Sequence, residues 1–395
     1  MTAGSDGWRG LSGPYAMQLF DTRSGGLRRV IAGHTVRLYV CGITPYDSAH
    51  LGHAATYVAF DVLLRVLEHH GHVVRYVRNV TDVDDDILRT AGERGVDYLE
   101  LAESETARFD QDLRALGCRE PDVAPRATAT VPAIVTAVAG LIDREAAYAL
   151  DDGRVYFDIA AANSFGDLSR LGRDEMLEQF AEKGGDPEAA GKRDALDFLL
   201  WQPAQDGEPH WSSPWGEGRP GWHIECSVMA MEHLGGVIDI HGGGSDLVFP
   251  HHEAEIAQSE QLTRQGPFAR FWLHTGMVGL DGVKMSKSLG NLVFARDLLE
   301  RFEGAAVRTY LLAHHYRATW GYDEDEMAAA ADRVKVWQAV ASGDGRDETG
   351  EQAVLAALGD DLDTPAALRA LDRLADAGHG ESLRRAGAIL GLDLG

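Results

Sequence analysis

One short motif combines two histidines with a glycine in a way that could bind the phosphates of a nucleotide. It reads His-Leu-Gly-His at 50–53, immediately before a segment with helical periodicity. The N–H groups at a helix start attract phosphate, the imidazoles of His50 and His53 could add donors, and Gly52 lets a nucleotide approach the backbone closely. Alone, the motif is more typical of a capped or exposed helix start.

A second motif could act on the same phosphates from a loop. It reads Lys-Met-Ser-Lys-Ser at 284–288, flanked by glycines on both sides. Lys284 and Lys287 could offset the charge that develops on a departing pyrophosphate. Alone, this loop is equally typical of a solvated basic turn, but the two motifs in this order favour chemistry at a nucleotide.

Four further residues have the side chains that Zn²⁺ prefers. Cys41 and Cys226 could supply thiolates, and His251 and Glu255 are spaced four residues apart, which places them on one face of a helix. The alternative is that both cysteines are small buried residues and that His251 caps a helix. No closely spaced cysteine pair decides between these interpretations.

The elements around the first motif indicate an α/β fold. Residues 35–40 are β-branched and apolar and predict a strand that breaks at 41–42, and 54–70 has apolar residues at helical spacing. Residues 73–77 predict a second strand that leads into 79–82. This strand–helix–strand order is typical of a doubly wound parallel sheet of the Rossmann type, in which ligands bind at the carboxyl ends of the strands.

The remainder of the chain predicts an insertion and then a return to the sheet. Residues 86–150 are helical and acidic, and 153–209 are irregular and rich in glycine. Residues 221–229, and 237–241 before the glycines at 242–244, have strand-then-loop character.

A small helical C-terminal domain is predicted after 288, interrupted by a loop at 342–347. Four units follow from this pattern: 1–90 as the first half of the catalytic domain, 91–215 as an inserted connective subdomain, 216–290 as the second half ending in the lysine motif, and 291–395 as a helical stem and C-terminal domain.

Composition narrows the class of protein. The 395 residues contain 37 Lys and Arg against 62 Asp and Glu, a formal net charge of −25, which disfavours a nucleic-acid partner. Three cysteines are too few for a disulfide framework. No apolar run is long enough to cross a membrane, and the start lacks a secretory pattern, so we expect a cytoplasmic protein.

Together these residues resemble the class I aminoacyl-tRNA synthetases, and in particular the cysteinyl-tRNA synthetases. The resemblance spans roughly residues 15–330, and its matching stretches are 41–42, 50–53, 79–85, 221–226, 239–246, 249–253 and 284–288. It implies a Zn²⁺ ion held by Cys41, Cys226, His251 and Glu255 that binds the sulfur of a substrate cysteine. Such a bond would select against serine, which a pocket shape alone rejects poorly.

The same region is even more similar to the cysteine:glucosaminyl-inositol ligases of mycothiol biosynthesis. The similarity lies in 41–47 with 50–57, in Glu-Lys-Gly-Gly-Asp-Pro at 182–187 followed by 191–193, and in Asp86, where the tRNA synthetases usually have lysine. The chain after 288 is also short for an anticodon-recognising domain. The resemblance therefore implies a small amine acceptor, glucosaminyl-inositol, and disfavours tRNA.

The implied reaction uses ATP with Mg²⁺ to form cysteinyl-adenylate, which then acylates the amine. His50, His53, Lys284 and Lys287 would act on the phosphates. The residues implied to contact cysteine are Thr44, Trp222 and Asp246, those near the adenylate are Thr56, Asn79 and Thr81, and those that meet the nucleotide are Gly244, Ser245 and the backbone at Val278.

Two alternatives remain open, as does the oligomeric state. Glu255 and the stretches 211–216 and 288–291 are more typical of cysteinyl-tRNA synthetases, so a synthetase, or a truncated relative with another acceptor, is the first alternative. A cysteine or zinc sensor without catalysis is the second. The two intact phosphate-binding motifs argue against a sensor.

Overall fold

The computed structural model describes residues 9–10, 17–46, 50–280, 283–284 and 292–395, with the backbone alone at 9–10, 31 and 283–284. The first strands within these ranges are short and form two antiparallel pairs, β1 with β4 and β2 with β3. Their bounds are β1 (Arg9–Gly10), β2 (Gln18–Asp21), β3 (Gly26–Arg29) and β4 (Ile31–Ala32).

The first strand–helix–strand unit follows as the sequence predicts. It consists of β5 (Thr35–Ile43), α1 (Leu51–His69) and β6 (Val73–Val80), and β5 and β6 are parallel. Helix α1 starts at Leu51, three residues before the predicted start, because the ring of His50 caps it by accepting a hydrogen bond from the N–H of Gly52.

The insertion contains helices and a small antiparallel sheet. Strands β7 to β10 form this sheet in the order β10-β9-β8-β7. The bounds of the elements are α2 (Asp85–Arg94), α3 (Tyr98–Ala115), α4 (Ala127–Asp143), β7 (Ala147–Ala149), β8 (Val155–Phe157), α5 (Arg173–Glu182), β9 (Phe198–Pro203) and β10 (Gly218–Pro220).

The second half of the central sheet completes the predicted Rossmann-type topology. It consists of α6 (Trp222–Leu234), β11 (Ile238–Gly244), α7 (Glu253–Thr263) and β12 (Ala269–Thr275). All four strands of the central sheet are parallel, in the order β12-β11-β5-β6. The predicted α/β fold is therefore confirmed.

The C-terminal part is helical, as predicted, and its described residues include the short strands β13, β14 and β15 near its start. The loop predicted at 342–347 lies between α10 and α11. The bounds are β13 (Val278–Leu280), β14 (Val283–Lys284), α8 (Ala295–Leu299), α9 (Gly304–Leu312), β15 (Trp320–Tyr322), α10 (Glu324–Ala341), α11 (Glu348–Gly359), α12 (Thr364–Asp376) and α13 (Gly380–Ile389). None of the helices in the described part of the chain is long and apolar enough to cross a membrane.

Side chains of β5 alternate between the two faces of the central sheet. Leu38 and Val40 pack in the core shared with α1 and the C-terminal helices, whereas Tyr39 and Cys41 pack in the core shared with α6 and α7. This alternation is the two-residue period of a strand. It turns Cys41 toward α6, the helix that carries Cys226.

The sequence prediction that β5 breaks at 41–42 is wrong. The strand continues to Ile43 through an irregularity in its register against β6. A Cβ atom at Gly42 would lie 1.6 Å from the carbonyl oxygen of Asn79, so this glycine allows a close approach of the two strands and does not end the strand.

Three other local predictions also fail. Residues 222–229 belong to helix α6, which Gly221 precedes as its N-cap residue. The glycines at 242–244 belong to β11, and 153–209 contain β8, α5 and β9 where the sequence predicts irregular structure. Packing requires a glycine at 242, because a Cβ atom there would lie 2.0 Å from the ring of Phe60 on α1.

Candidate active site

The four predicted metal ligands come together at the carboxyl end of the central sheet. Cys41 lies near the end of β5 and Cys226 in α6. His251 lies in the kinked turn Val248–His252 that leads into α7, and Glu255 lies in the first turn of α7. One donor atom from each residue lies within 4.8 Å of the others, and all four side chains are buried.

Direct contacts connect the members of this cluster. The Nε2 atom of His251 lies 3.0 Å from Oε1 of Glu255, and the Sγ atom of Cys41 lies 3.5 Å from the same oxygen. Two sulfurs, an imidazole nitrogen and a carboxylate oxygen form a donor set that Zn²⁺ accepts. The residues present therefore fit this metal.

The surroundings set the charges of the cluster. A hydrogen bond from Cys41, together with the nearby imidazole of His251, lowers the pKa of Cys226 to about 6. Burial raises the pKa of the Cys41 thiol. Burial opposes the charge on His251, but Cys226 and Glu255 outweigh it and raise the pKa of His251 to about 10.

Glu255 is a carboxylate although it is fully buried. Burial alone raises its pKa, but His241 and His251 outweigh burial and lower the pKa of Glu255 to about 2. Its Oε2 atom lies 2.6 Å from Nε2 of His241, so the two oxygens of one carboxylate contact two different histidines. Glu255 therefore links the two histidines on either side of it.

Sequence reasoning missed two histidines that belong to this cluster. His241 and His252 form, with Cys41 and Glu255, a second group of four donor atoms within 4.8 Å of one another. The Nε2 atom of His252 lies 3.3 Å from Sγ of Cys41, and its Nδ1 atom lies 2.7 Å from Nε2 of His274. The signals were a histidine in strand β11 and the doublet at 251–252.

The His-Leu-Gly-His motif at 50–53, called the first phosphate motif for its predicted role, lies next to the carboxyl ends of β11 and β12. The rings of His50 and His53 stack with their centroids 3.8 Å apart at the start of α1. Thr56 lies one turn further, and its hydroxyl is 2.7 Å from that of Thr275, which ends β12. This contact brings the start of α1 to the strand ends.

A short path connects this region with the metal candidates. The hydroxyl of Thr275 donates to the carbonyl of Gly243 at 3.5 Å, and a Cβ atom at Gly243 would lie 3.2 Å from the ring of His252. At Gly52, a Cβ atom would lie 3.9 Å from the side chain of Val278. One region at the carboxyl edge of the sheet is therefore bordered by the first phosphate motif, Val278 and the cluster of candidate metal ligands.

Asn79 and Thr81 bind protein groups at the end of β5. The Oδ1 atom of Asn79 accepts the N–H of Gly42 at 2.7 Å, its amide donates to the hydroxyl of Thr81 at 3.2 Å, and both side chains are buried. They support the strand that holds Cys41. Thr44 follows this strand, and its hydroxyl lies 3.5 Å from Oδ2 of Asp84.

Trp222 packs on the cluster, and Gly244, Ser245 and Asp246 lie where β11 ends. The half-buried ring of Trp222 lies against His251, with centroids 4.3 Å apart. Gly244 ends β11 and precedes the short 3₁₀ turn Ser245–Leu247. Asp246 is exposed, and a Cβ atom at Gly244 would lie 2.5 Å from its Oδ1 atom.

The second phosphate motif is only partly covered by the structure. The backbone of Lys284 pairs with Gly279 between β14 and β13, and the motif starts four residues beyond the end of β13 at Leu280. Lys287 lies outside the described residues. The roles of both lysines stay predictions.

Comparisons with known proteins identify the family of this chain. The model of the tRNA synthetases class I (C) catalytic domain matches residues 28–332. Two proteins named L-cysteine:1D-myo-inositol 2-amino-2-deoxy-alpha-D-glucopyranoside ligase, from Thermomonospora curvata and Nocardiopsis dassonvillei, are 48% and 49% identical to this chain. The alignments cover 94% and 93% of this chain and 91% and 90% of those proteins.

Solved structures support the fold. A Mycobacterium tuberculosis methionyl-tRNA synthetase in complex with methionyl-adenylate has a TM-score of 0.61 at 17% sequence identity, covering 90% of this chain and 82% of that chain. The family match and the identity to the ligases are much more specific than this likeness. The chain belongs to the class I tRNA synthetase (C) catalytic-domain family and, within it, to the family of L-cysteine:1D-myo-inositol 2-amino-2-deoxy-alpha-D-glucopyranoside ligases.

Proposed function

We propose that this protein joins L-cysteine to the amine of glucosaminyl-inositol, using ATP and releasing pyrophosphate and AMP. The observation that carries the cysteine and ATP part is the buried cluster of Cys41, Cys226, His251 and Glu255 beside the His-Leu-Gly-His helix start. The acceptor is supported by relatives of that printed name that are 46–50% identical over 86–94% of this chain.

The metal that this donor set fits is Zn²⁺, held by Cys41, Cys226, His251 and Glu255. When bound, Zn²⁺ supplies a position for the sulfur of cysteine, which a serine hydroxyl fills poorly. His241 and His252 support the set from the other side of Glu255 and Cys41. Trp222 packs on His251 and restricts its orientation.

In the first step, a carboxylate oxygen of cysteine attacks the α-phosphorus of Mg²⁺·ATP, and the bond to pyrophosphate breaks. His50 and His53 at the start of α1, with Lys284 and Lys287, offset the negative charge of the phosphates. We assign the ammonium of cysteine to Asp246 and the walls of its pocket to Thr44 and Trp222.

The nucleotide extends along the strand ends, with Gly244, Ser245 and the backbone at Val278 as its contacts. Thr56 would lie near the adenylate, as would Asn79 and Thr81, which also brace the end of β5. In the second step, the amine nitrogen of the acceptor attacks the activated carbonyl carbon, loses a proton and displaces AMP. An amide bond forms without a covalent enzyme intermediate.

The test offers two acceptors to the same zinc-loaded protein. Purified protein is incubated with ATP, cysteine and either glucosaminyl-inositol or total tRNA, and the products are identified by mass. We expect cysteinyl-glucosaminyl-inositol with equal amounts of AMP and pyrophosphate, and no product when serine replaces cysteine. Charging of tRNA alone would refute the proposed acceptor. The absence of cysteine-dependent ATP–pyrophosphate exchange would refute the proposal that this protein activates cysteine.

A further inference from the structure

A lysine of the insertion contacts the segment that carries two of the candidate site residues. Lys183 directly follows α5, and its Nζ atom donates hydrogen bonds to the carbonyl oxygens of Asp246 at 2.7 Å and Phe249 at 2.5 Å. It also lies 3.4 Å from Oε1 of Gln179, one turn earlier. One ammonium group thus joins the insertion to the connection between β11 and α7.

A second contact joins the insertion to this connection, and here the insertion supplies the hydrogen-bond donors and the connection supplies the acceptor. Glu253, the first residue of α7, accepts hydrogen bonds from the N–H groups of Gly166 at 2.8 Å, Leu168 at 3.4 Å and Ser169 at 2.9 Å. Glu253 is only 1% exposed, so these amides take the place of water around its carboxyl group. The two contacts fix both ends of one segment against the insertion.

The segment between these contacts contains the parts of the site that depend on an irregular backbone. It consists of the turns Ser245–Leu247 and Val248–His252, which carry Asp246 and His251. Irregular turns lack the full hydrogen-bond ladder of a helix, so their shape depends on outside donors. Phe249 is buried, and Lys183 supplies a donor to its carbonyl.

We propose that Lys183 is a positioning residue for cysteine activation, because its ammonium holds the turns that orient Asp246 and His251. This inference rests on the proposed function, in which those two side chains act on cysteine. Lys183 acts through the backbone of the turns and not through contact with substrate. The insertion therefore supports the amino-acid site from outside it.

The test compares two replacements of this lysine in cysteine-dependent ATP–pyrophosphate exchange. In Lys183→Met, the two carbonyls lose a charge-assisted donor, and we expect the KM for cysteine to rise about tenfold while the KM for ATP stays within about twofold. In Lys183→Arg, the guanidinium can donate to two carbonyls, and we expect the KM for cysteine to return to within about threefold of the original value.

Lys192 provides a matched control from the same loop. Its ammonium donates to the carbonyls of Asp186 and Ala195 and lies over the ring of Phe180, so Lys192→Met removes a lysine that stabilises the loop without contacting the turns. We expect an unchanged KM for cysteine in this control.

Three outcomes would overturn the inference. They are an unchanged KM for cysteine in Lys183→Met, an equal rise in Lys192→Met, and a failure of Lys183→Arg to restore the KM although its melting temperature matches that of the original protein. If the original protein itself shows no exchange, the proposed function fails, and this result is distinct from all three.

Discussion

At the scale of single residues, Cys226 gives the sharpest test of the metal site. Cys226→Ser replaces a thiolate by a hydroxyl, a poor ligand for Zn²⁺. We therefore expect the bound zinc per chain and the rate of cysteine-dependent exchange to fall together, by about tenfold or more. Metal analysis after dialysis and exchange kinetics on the same sample check this prediction.

Cys118→Ser is the matched control, because Cys118 is partly buried beside Arg308 and outside both groups of candidate ligands. It should keep its zinc and its activity. Full zinc retention in Cys226→Ser would instead assign the metal to the second group, Cys41 with His241, His252 and Glu255.

A replacement of Lys287 tests the predicted role of the Lys-Met-Ser-Lys-Ser motif at 284–288. Its proposed partner is the departing pyrophosphate, so Lys287→Ala should lower kcat for exchange by about 100-fold and leave the KM for cysteine nearly unchanged. Steady-state exchange with cysteine and ATP varied separately measures both values. A large rise in the KM for cysteine with little loss of kcat would contradict the role of this lysine.

Residue types and spacing suggested the four main donors, and the family resemblance made them one predicted set, but neither indicated their neighbours. Cys41, Cys226, His251 and Glu255 were predicted as one set, and the structure brings them together. His241 and His252 join the cluster through contacts between β11, β5 and the turn before α7. Such contacts depend on the register of strands that are distant in sequence, which local pattern does not encode.

At the scale of elements, Gly42 determines how closely β5 and β6 approach each other. In Gly42→Ala, the new Cβ atom would meet the carbonyl of Asn79, so the strand end that holds Cys41 must shift. We expect a loss of about 2–4 kcal/mol in the free energy of unfolding, by the general cost of overpacking and strain in a core, and a loss of bound zinc. Urea unfolding and metal analysis measure the two effects.

Gly71→Ala is a suitable comparison for this variant. Gly71 has a positive φ of 85°, but nothing lies within 4 Å of its would-be Cβ atom. The replacement should therefore cost only backbone strain, about 1 kcal/mol, without loss of zinc. An equal loss of zinc in both variants would show that general destabilisation, and not the shift of β5, removes the metal.

Periodicity predicted the elements of the sheet better than glycine did. The strands at 35–40 and 73–77 and the helix at 54–70 were predicted from apolar spacing and are present. Glycine was interpreted as a strand end at 41–42 and at 242–244, yet these glycines lie inside strands, where close packing against Asn79 and Phe60 excludes a side chain. This requirement comes from the partner element and not from the strand itself.

At the scale of the whole molecule, a buried ion pair joins the helix of the first phosphate motif to the C-terminal part. Arg308 of α9 donates to Asp61 of α1 and to the carbonyls of Leu390 at 2.6 Å and Leu116 at 2.9 Å. The side chains of Arg308 and Asp61 are 1% and 2% exposed. The C-terminal helices are thus attached through α1 to the part of the chain that forms the central sheet.

The charge of Asp61 makes this attachment sensitive to acid. Burial opposes ionisation, but Arg308 and Arg65 outweigh it and lower the pKa of Asp61 below its usual value. The unfolded chain therefore binds this proton more readily than the folded chain. The stabilisation is complete above the unfolded pKa of about 4 and is lost as the pH falls below that value toward the folded pKa.

The variant Asp61→Asn separates this contribution from that of the other carboxylates. It leaves the buried Arg308 without its counter-charge, so we expect a loss of about 3–5 kcal/mol at pH 7. The loss should shrink as the pH falls from about 4 to 2, because the original protein then loses the same charge. Asp86→Asn, which removes an ion pair that is half exposed, should cost less than about 1 kcal/mol at either pH. Urea unfolding across this pH range measures each difference, and a loss in Asp61→Asn that stays constant with pH would mean that the pair holds the two halves by shape and hydrogen bonding and not by charge.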